Sequence, residues 1–183
     1  MHDLYRNARC HGRGGFTLVE LMIAIGIVAI LTAIAVPNII NWLPNYRLKS
    51  AARDMISNFQ KAKMEAVKRN TDVIITFATG AYAPSGQVGS YQIFVDDNPA
   101  NGAFDAGERV LAQMNMPRNV SLYDANNTTF TGDTTGYNSR GLPWNNRWGS
   151  VEIRNNKSRY YKASLSSAGH VRLQISSDGI NWN

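Results

Sequence analysis

The chain holds one cysteine and three histidines in 183 residues. Cys10, His2 and His11 all fall in the first fifteen, leaving His170 alone in the remainder. A disulfide framework and a zinc–thiolate centre are therefore excluded beyond residue 15. No Ser/His/Asp ordering, cysteine–histidine pair or glycine-rich phosphate loop occurs, and no two acids stand out as a catalytic pair. These absences point away from an enzyme. Acidic residues are also scarce, 13 against 19 Lys and Arg, for a net charge of +6.

What is present begins with a basic leader. Arg6, Arg9 and Arg13 face one acid, Asp3, and the leader ends in Gly14-Gly15. Positive charge beside an apolar helix holds that end in the cytoplasm. A secretory signal places its apolar core before the cut. Here the small residues precede the apolar run, so cleavage after Gly15 leaves that run on the mature chain. The alternative is an uncleaved signal anchor in which Gly-Gly is incidental.

The run from Phe16 to Val36 contains only Thr17, Glu20 and Thr32 as polar residues. As a helix it extends about 32 Å, close to the hydrocarbon thickness of ~30 Å. A lone carboxylate at the edge of such a span is costly and marks a function. Cleavage after Gly15 creates an amine on Phe16, and the amine of one chain can then meet Glu20 of another. Pro37 either stops this helix or, with Pro44, kinks a longer one, because a helical stripe resumes beyond them. That stripe is Leu48, Ala52, Met55, Phe59, Ala62 and Ala66, spaced 4, 3, 4, 3, 4.

Taken together, Gly15, Phe16, Glu20 and Pro37 resemble the N-terminus of type IV pilins and type II secretion pseudopilins. The stretch Gln60–Asn70 followed by Val73–Phe77 is similar to the GspH/FimT group of minor pilins and pseudopilins, and Ser166–Arg172 resembles its closing strand. The resemblance implies several things. A prepilin peptidase removes residues 1–15 and methylates the Phe16 amine. Glu20 pairs with the Phe16 amine of a neighbouring subunit, and other pilins or pseudopilins are the partners. The chain is a single-pass protein of the inner membrane with its C-terminal domain in the periplasm, incorporated into a type IV pilus or a secretion pseudopilus.

After Asn70 the pattern changes to short alternating segments. Strands are expected over Val73–Phe77, Tyr91–Val95, Val110–Met114, Val120–Tyr123, Val151–Arg154, Arg159–Leu165 and His170–Ile175. Residues 126–146 read as a long surface loop. The expected fold is α+β: a long N-terminal helix, half spanning and half amphipathic, packed on an antiparallel sheet or sandwich. The expected division is a leader (1–15), an assembly helix (16–36), its amphipathic continuation (37–70) and a β-rich domain (71–183).

Two candidate binding sites can be read in the C-terminal part. Asp97, Asn101, Asp105 and Glu108 match positions 1, 5, 9 and 12 of a calcium loop, with Gly102 and Phe104 at 6 and 8. Pro99 at position 3 offers no side-chain oxygen, and the alternative is an Asn/Asp/Gly hairpin connection. Secondly, positive charge gathers late: Arg140, Arg147, Arg154, Lys157, Arg159, Lys162 and Arg172 against Glu152 and Asp178, interleaved with Trp and Tyr. Such mixtures bind phosphates and stack on bases, with Arg154, Arg159, Lys162 and Arg172 the candidates for DNA. Some FimT-like minor pilins bind DNA through a Gly-Arg-x-Arg motif. Gly169-His170-Val171-Arg172 resembles it with His170 in place of the first arginine. A solvated basic face or a subunit contact is the competing reading.

Overall fold

A computed structural model describes residues 15–84, 87–97, 100–122 and 129–183. The leader arginines, Cys10 and Pro99 lie outside these residues, as does Tyr123, the expected end of one strand. The chain divides into two compact units between Asn41 and Trp42.

One helix, α1, runs Leu18–Arg69 and passes through both Pro37 and Pro44 without interruption. Its first half, up to Asn41, exposes every side chain, as a helix built for a lipid environment does. It is long and apolar enough to cross a membrane. Thr32 donates its hydroxyl to the Val28 carbonyl at 2.6 Å, so this polar group is satisfied within the helix.

The second unit begins at Trp42. From here α1 buries Leu48, Ala52, Met55, Phe59, Ala62 and Ala66, the stripe expected from the spacing, with Pro44 and Ala51 at its margin. The helix ends at Asn70, whose φ of 54° is left-handed. The Thr71 N–H reaches the Ala66 carbonyl and the Asn70 N–H reaches Val67. This double bond pattern closes the last turn and turns the chain into the first strand.

Eight strands follow: β1 Asp72–Ala78, β2 Ser90–Asp96, β3 Val110–Asn115, β4 Val120–Leu122, β5 Thr134–Tyr137, β6 Gly149–Asn155, β7 Tyr160–Leu165 and β8 Val171–Ser176. They form two antiparallel sheets, in the orders β3-β2-β1-β5 and β4-β6-β7-β8. Both sheets and the helix stripe enclose one core, in which Phe77 stacks between Phe59 and Phe130 at 6.2 and 5.7 Å. Strand β1 is buried on both faces: Val73, Ile75 and Phe77 enter that core, while Ile74 packs with Phe94 and Trp144 behind the sheet. The sheets meet at Gly89, where Leu122 N–H donates to Val88 O at 2.8 Å and Met116 N–H donates to Gly89 O at 3.1 Å.

The seven expected strands are found within a residue or two at each end. Residues 126–146 are not a loop throughout. Thr134–Tyr137 is a fully buried strand paired with β1, Ile74 opposite Gly136, and short 3-10 turns flank it at Thr131–Asp133 and Trp144–Asn146. Two threonines and a glycine carry no hydrophobic signal. The strand is held instead by ladder bonds and by Thr135, whose hydroxyl donates to the Arg147 carbonyl at 2.6 Å. Gly136 is required because a Cβ there would lie 2.3 Å from the Val73 carbonyl oxygen.

Candidate assembly segment and basic surface

No described residue lies within 4 Å of the place a Cβ would occupy at Gly15, and Phe16 is exposed. The helix then starts at a cap the spacing had already written. Thr17 accepts the Glu20 N–H on its side-chain oxygen at 3.2 Å, and its carbonyl accepts the Leu21 N–H at 3.1 Å. Thr17-Leu18-Val19-Glu20 has the Thr-x-x-Glu form of a capping box. Glu20 is the acid in the first turn, where the partial positive charge of the helix end favours an anion. Sequence reasoning singled out Glu20 and gave no role to Thr17, although the spacing of the two was visible.

The four expected DNA-binding residues separate into two pairs. Lys162 sits opposite Glu152 across the β6–β7 ladder and pairs with it at 2.9 Å. Its ammonium lies 3.8 Å from the Trp182 ring centroid. Burial pushes the Glu152 carboxyl up, and the Lys162 contact opposes that shift. Arg154 is stacked on Tyr82 at 3.8 Å and beside Tyr160 at 5.2 Å. These two cations are spent on internal contacts. Arg159 and Arg172 are exposed. Gly169, in the Gly-x-x-Arg stretch, has a φ of 74°, and its N–H closes a turn onto Ser166 O. His170 is exposed beside it.

The acidic stretch after β2 is organised by Asp96, one residue before the expected calcium position. Fully buried, Asp96 accepts the N–H groups of Asn101 and Gly102 at 3.1 and 2.8 Å. Asn101 bonds Asp105 through its amide at 2.7 Å, and Glu108 Oε2 accepts the Asp105 N–H at 2.9 Å. Glu108 Oε1 is buried without a hydrogen-bond partner among the described residues, and Asp97 is exposed. Among the described residues no three His, Cys, Asp or Glu side chains gather to hold a metal ion.

At the end of β6, Asn155 is fully buried. Its side-chain oxygen accepts the N–H groups of Lys157 and Arg159, both at 3.0 Å, and its amide donates to Asn45 Oδ1 at 2.8 Å. This fastens the β6–β7 turn to α1. The C-terminal turn is built on Asp178, which accepts from Ser176, Ile180 and Asn181. Those bonds hold its carboxyl well below the ordinary value.

Comparison with known proteins agrees with this build. Residues 51–179 match the family described as type II transport protein GspH, and residues 10–36 match the prokaryotic N-terminal methylation motif. The chain is 38% identical over 98 residues to the pilin-like protein PilA1 of Thermus thermophilus, covering 52% of this chain and 56% of that protein. It is 51% identical over 45 residues to the prepilin peptidase-dependent protein D of Escherichia coli, covering 25% and 28%. The matched stretches thus span about half or less of these relatives' lengths. In fold it is similar to the type IV minor pilin FimU of Pseudomonas aeruginosa, with a TM-score of 0.51 at 18% identity over 76% of this chain and 94% of that one. A capped, exposed apolar helix leading into a helix-backed pair of antiparallel sheets, with a family match across most of the domain, makes this chain a member of the GspH family within the type IV pilin and pseudopilin superfamily.

Proposed function

We propose that the chain is a minor pilin or pseudopilin subunit that assembles through its N-terminal helix into a type IV pilus or a type II secretion pseudopilus. A prepilin peptidase cuts after Gly15 and the new Phe16 amine is methylated. Before assembly the helix anchors the protein in the inner membrane with the second unit in the periplasm. In the filament, Glu20 neutralises the Phe16 amine of a neighbour, and burial of the apolar helix surface drives packing. The carrying observation is a helix exposed along its apolar half, with Glu20 as the sole acid of that half, standing in the first turn. An apolar surface of that length demands either lipid or sibling helices.

The test is Glu20→Ala in the producing cell. The variant inserts and is cleaved, and its recovery in sheared filaments falls about tenfold or more, as expected when a buried cation loses its partner. Recovery equal to wild type would refute the pairing.

A second reading, a DNA-binding minor pilin of an uptake pilus, draws on Arg159 and Arg172, which are exposed and unpaired among the described residues. A salt-dependent gel shift that weakens on neutralising both would support it; no shift at low salt would remove it.

A further inference from the structure

On α1, Trp42, Tyr46, Lys49 and Arg53 recur at intervals of 4, 3 and 4, which places them on one stripe beside the core stripe. This stripe forms one wall of a groove of about 530 Å³. Arg159, just before β7, and Tyr161 within it contribute to the opposite wall, and Asp54 is the one acid among three cations in the lining. The two rings on the helix lie 5.1 Å apart and are more than half exposed. Lys49, Arg53 and Arg159 are exposed, and none makes an ion pair or side-chain hydrogen bond among the described residues. Some other cations of this unit are occupied: Lys61 donates to Leu111 O, Lys63 to Gly169 O, Arg47 to Asn119 and Arg147 to Thr131 O. The groove is also preformed, because Asn155 ties the turn carrying Arg159 to Asn45 on the helix.

We infer that this groove binds the phosphate headgroup of an anionic phospholipid, with Lys49, Arg53 and Arg159 on the phosphate and Trp42 and Tyr46 at the glycerol level. The inference rests on the membrane-anchor reading. Trp42 is the first residue past the exposed apolar half of α1. Trp42 stands six residues, about 9 Å of helix rise, past Val36 at the end of the apolar run, which brings it to the headgroup level beyond the hydrocarbon. Trp and Tyr concentrate at that depth, and Lys and Arg just beyond it are drawn to anionic lipid. The same cations and rings suit a nucleic-acid strand in isolation. The place of the groove on the chain, immediately after the span, favours lipid. A lipid held here keeps the subunit seated at the bilayer surface until it is drawn into a filament.

The experiment uses the full chain in detergent with dioctanoyl phosphatidylglycerol or dioctanoyl phosphatidylcholine, read by native mass spectrometry. One phosphatidylglycerol is retained at least ~10-fold more tightly than phosphatidylcholine, and Arg53→Gln with Arg159→Gln abolishes the preference. Arg118→Gln, exposed and outside the groove, keeps it. Equal retention of both lipids, or a preference untouched in the double variant, overturns the inference. So does displacement of the lipid by an equal concentration of inorganic phosphate. A 20-nucleotide single strand that binds with the same arginine dependence while phosphatidylglycerol does not would assign the groove to nucleic acid instead. Detergent removal in the presence of liposomes separates the two failures. A chain left in the aqueous phase defeats the anchor reading itself, whereas a chain that enters bilayers without headgroup preference defeats only the groove.

Discussion

The Asn155 amide donates to the Asn45 side-chain oxygen at 2.8 Å, joining a strand turn to a helix 110 residues earlier in the chain. The same buried side chain also accepts two turn N–H groups. Asn155→Ala strands all three partners at once. The expected loss is about 2–4 kcal/mol, measured by thermal unfolding of the full chain. Asn155→Asp keeps the acceptor of the turn and loses only the donor to Asn45, so its loss should be smaller.

Gly136 and Gly132 offer a matched pair. At Gly136 a Cβ would press on the Val73 carbonyl and the Ile74 backbone, inside a sheet that cannot yield. At Gly132, with a φ of 68°, the added atom meets open space and the cost is conformational alone. Gly136→Ala should lower stability by about 3 kcal/mol or more, from overpacking and loss of the β1–β5 ladder. Gly132→Ala should cost only ~1 kcal/mol. Denaturant unfolding midpoints check the order; equal losses would mean β5 does not pair as described.

Replacing Gly15 by a bulky residue should leave the leader attached without disturbing the fold, since no described residue lies near it. Intact mass measurement reads the outcome. A mature mass beginning at Phe16 from such a variant would displace the cleavage site.

Asp178 and Glu152 titrate in opposite senses. The Asp178 carboxyl is lowered from 3.8, chiefly by the Ser176 hydroxyl and then by the Asn181 and Ile180 N–H groups. Its contribution to the C-terminal turn is complete above its ordinary value and drains away as pH falls below it. Glu152 is raised by burial, so its ionised form costs stability, and acid relieves that cost. Global stability therefore blends the two. Local order separates them only far below the ordinary carboxylate value, once Glu152 is already neutral: the Trp182 indole, seated on Lys162, should lose its fixed NMR shift there, as Asp178 takes up its proton. Asp178→Asn should show that loose state already at neutral pH. A Trp182 signal unchanged by acid and by the variant would detach the turn from Asp178.

Much of this molecule was legible beforehand because burial writes a period into the sequence. The 4-3-4-3-4 spacing from Leu48 to Ala66 became the buried face of α1, and seven alternating segments became strands. Strand β5 escaped because Thr134, Thr135 and Gly136 are chosen for hydrogen bonds and close approach, which leave no hydrophobic trace. The fate of the cations was equally hidden. Lys162 and Arg159 read alike in sequence, yet one is covered by Glu152 and Trp182 and the other faces solvent, a difference set by cross-strand register and a distant C-terminal turn. The Trp42–Arg53 stripe was readable in its spacing, but its significance depends on Arg159 arriving from residues far along the chain.

The seam at Gly89 carries a further meaning. Its φ of 84° and the Leu122 carbonyl 2.5 Å from where a methyl would sit leave room for no other residue, and main-chain contacts there weld one sheet to the other. Neither layer can peel off by itself, so order should be kept or surrendered in a single step. Such a domain would then present no half-open form for proteases to find.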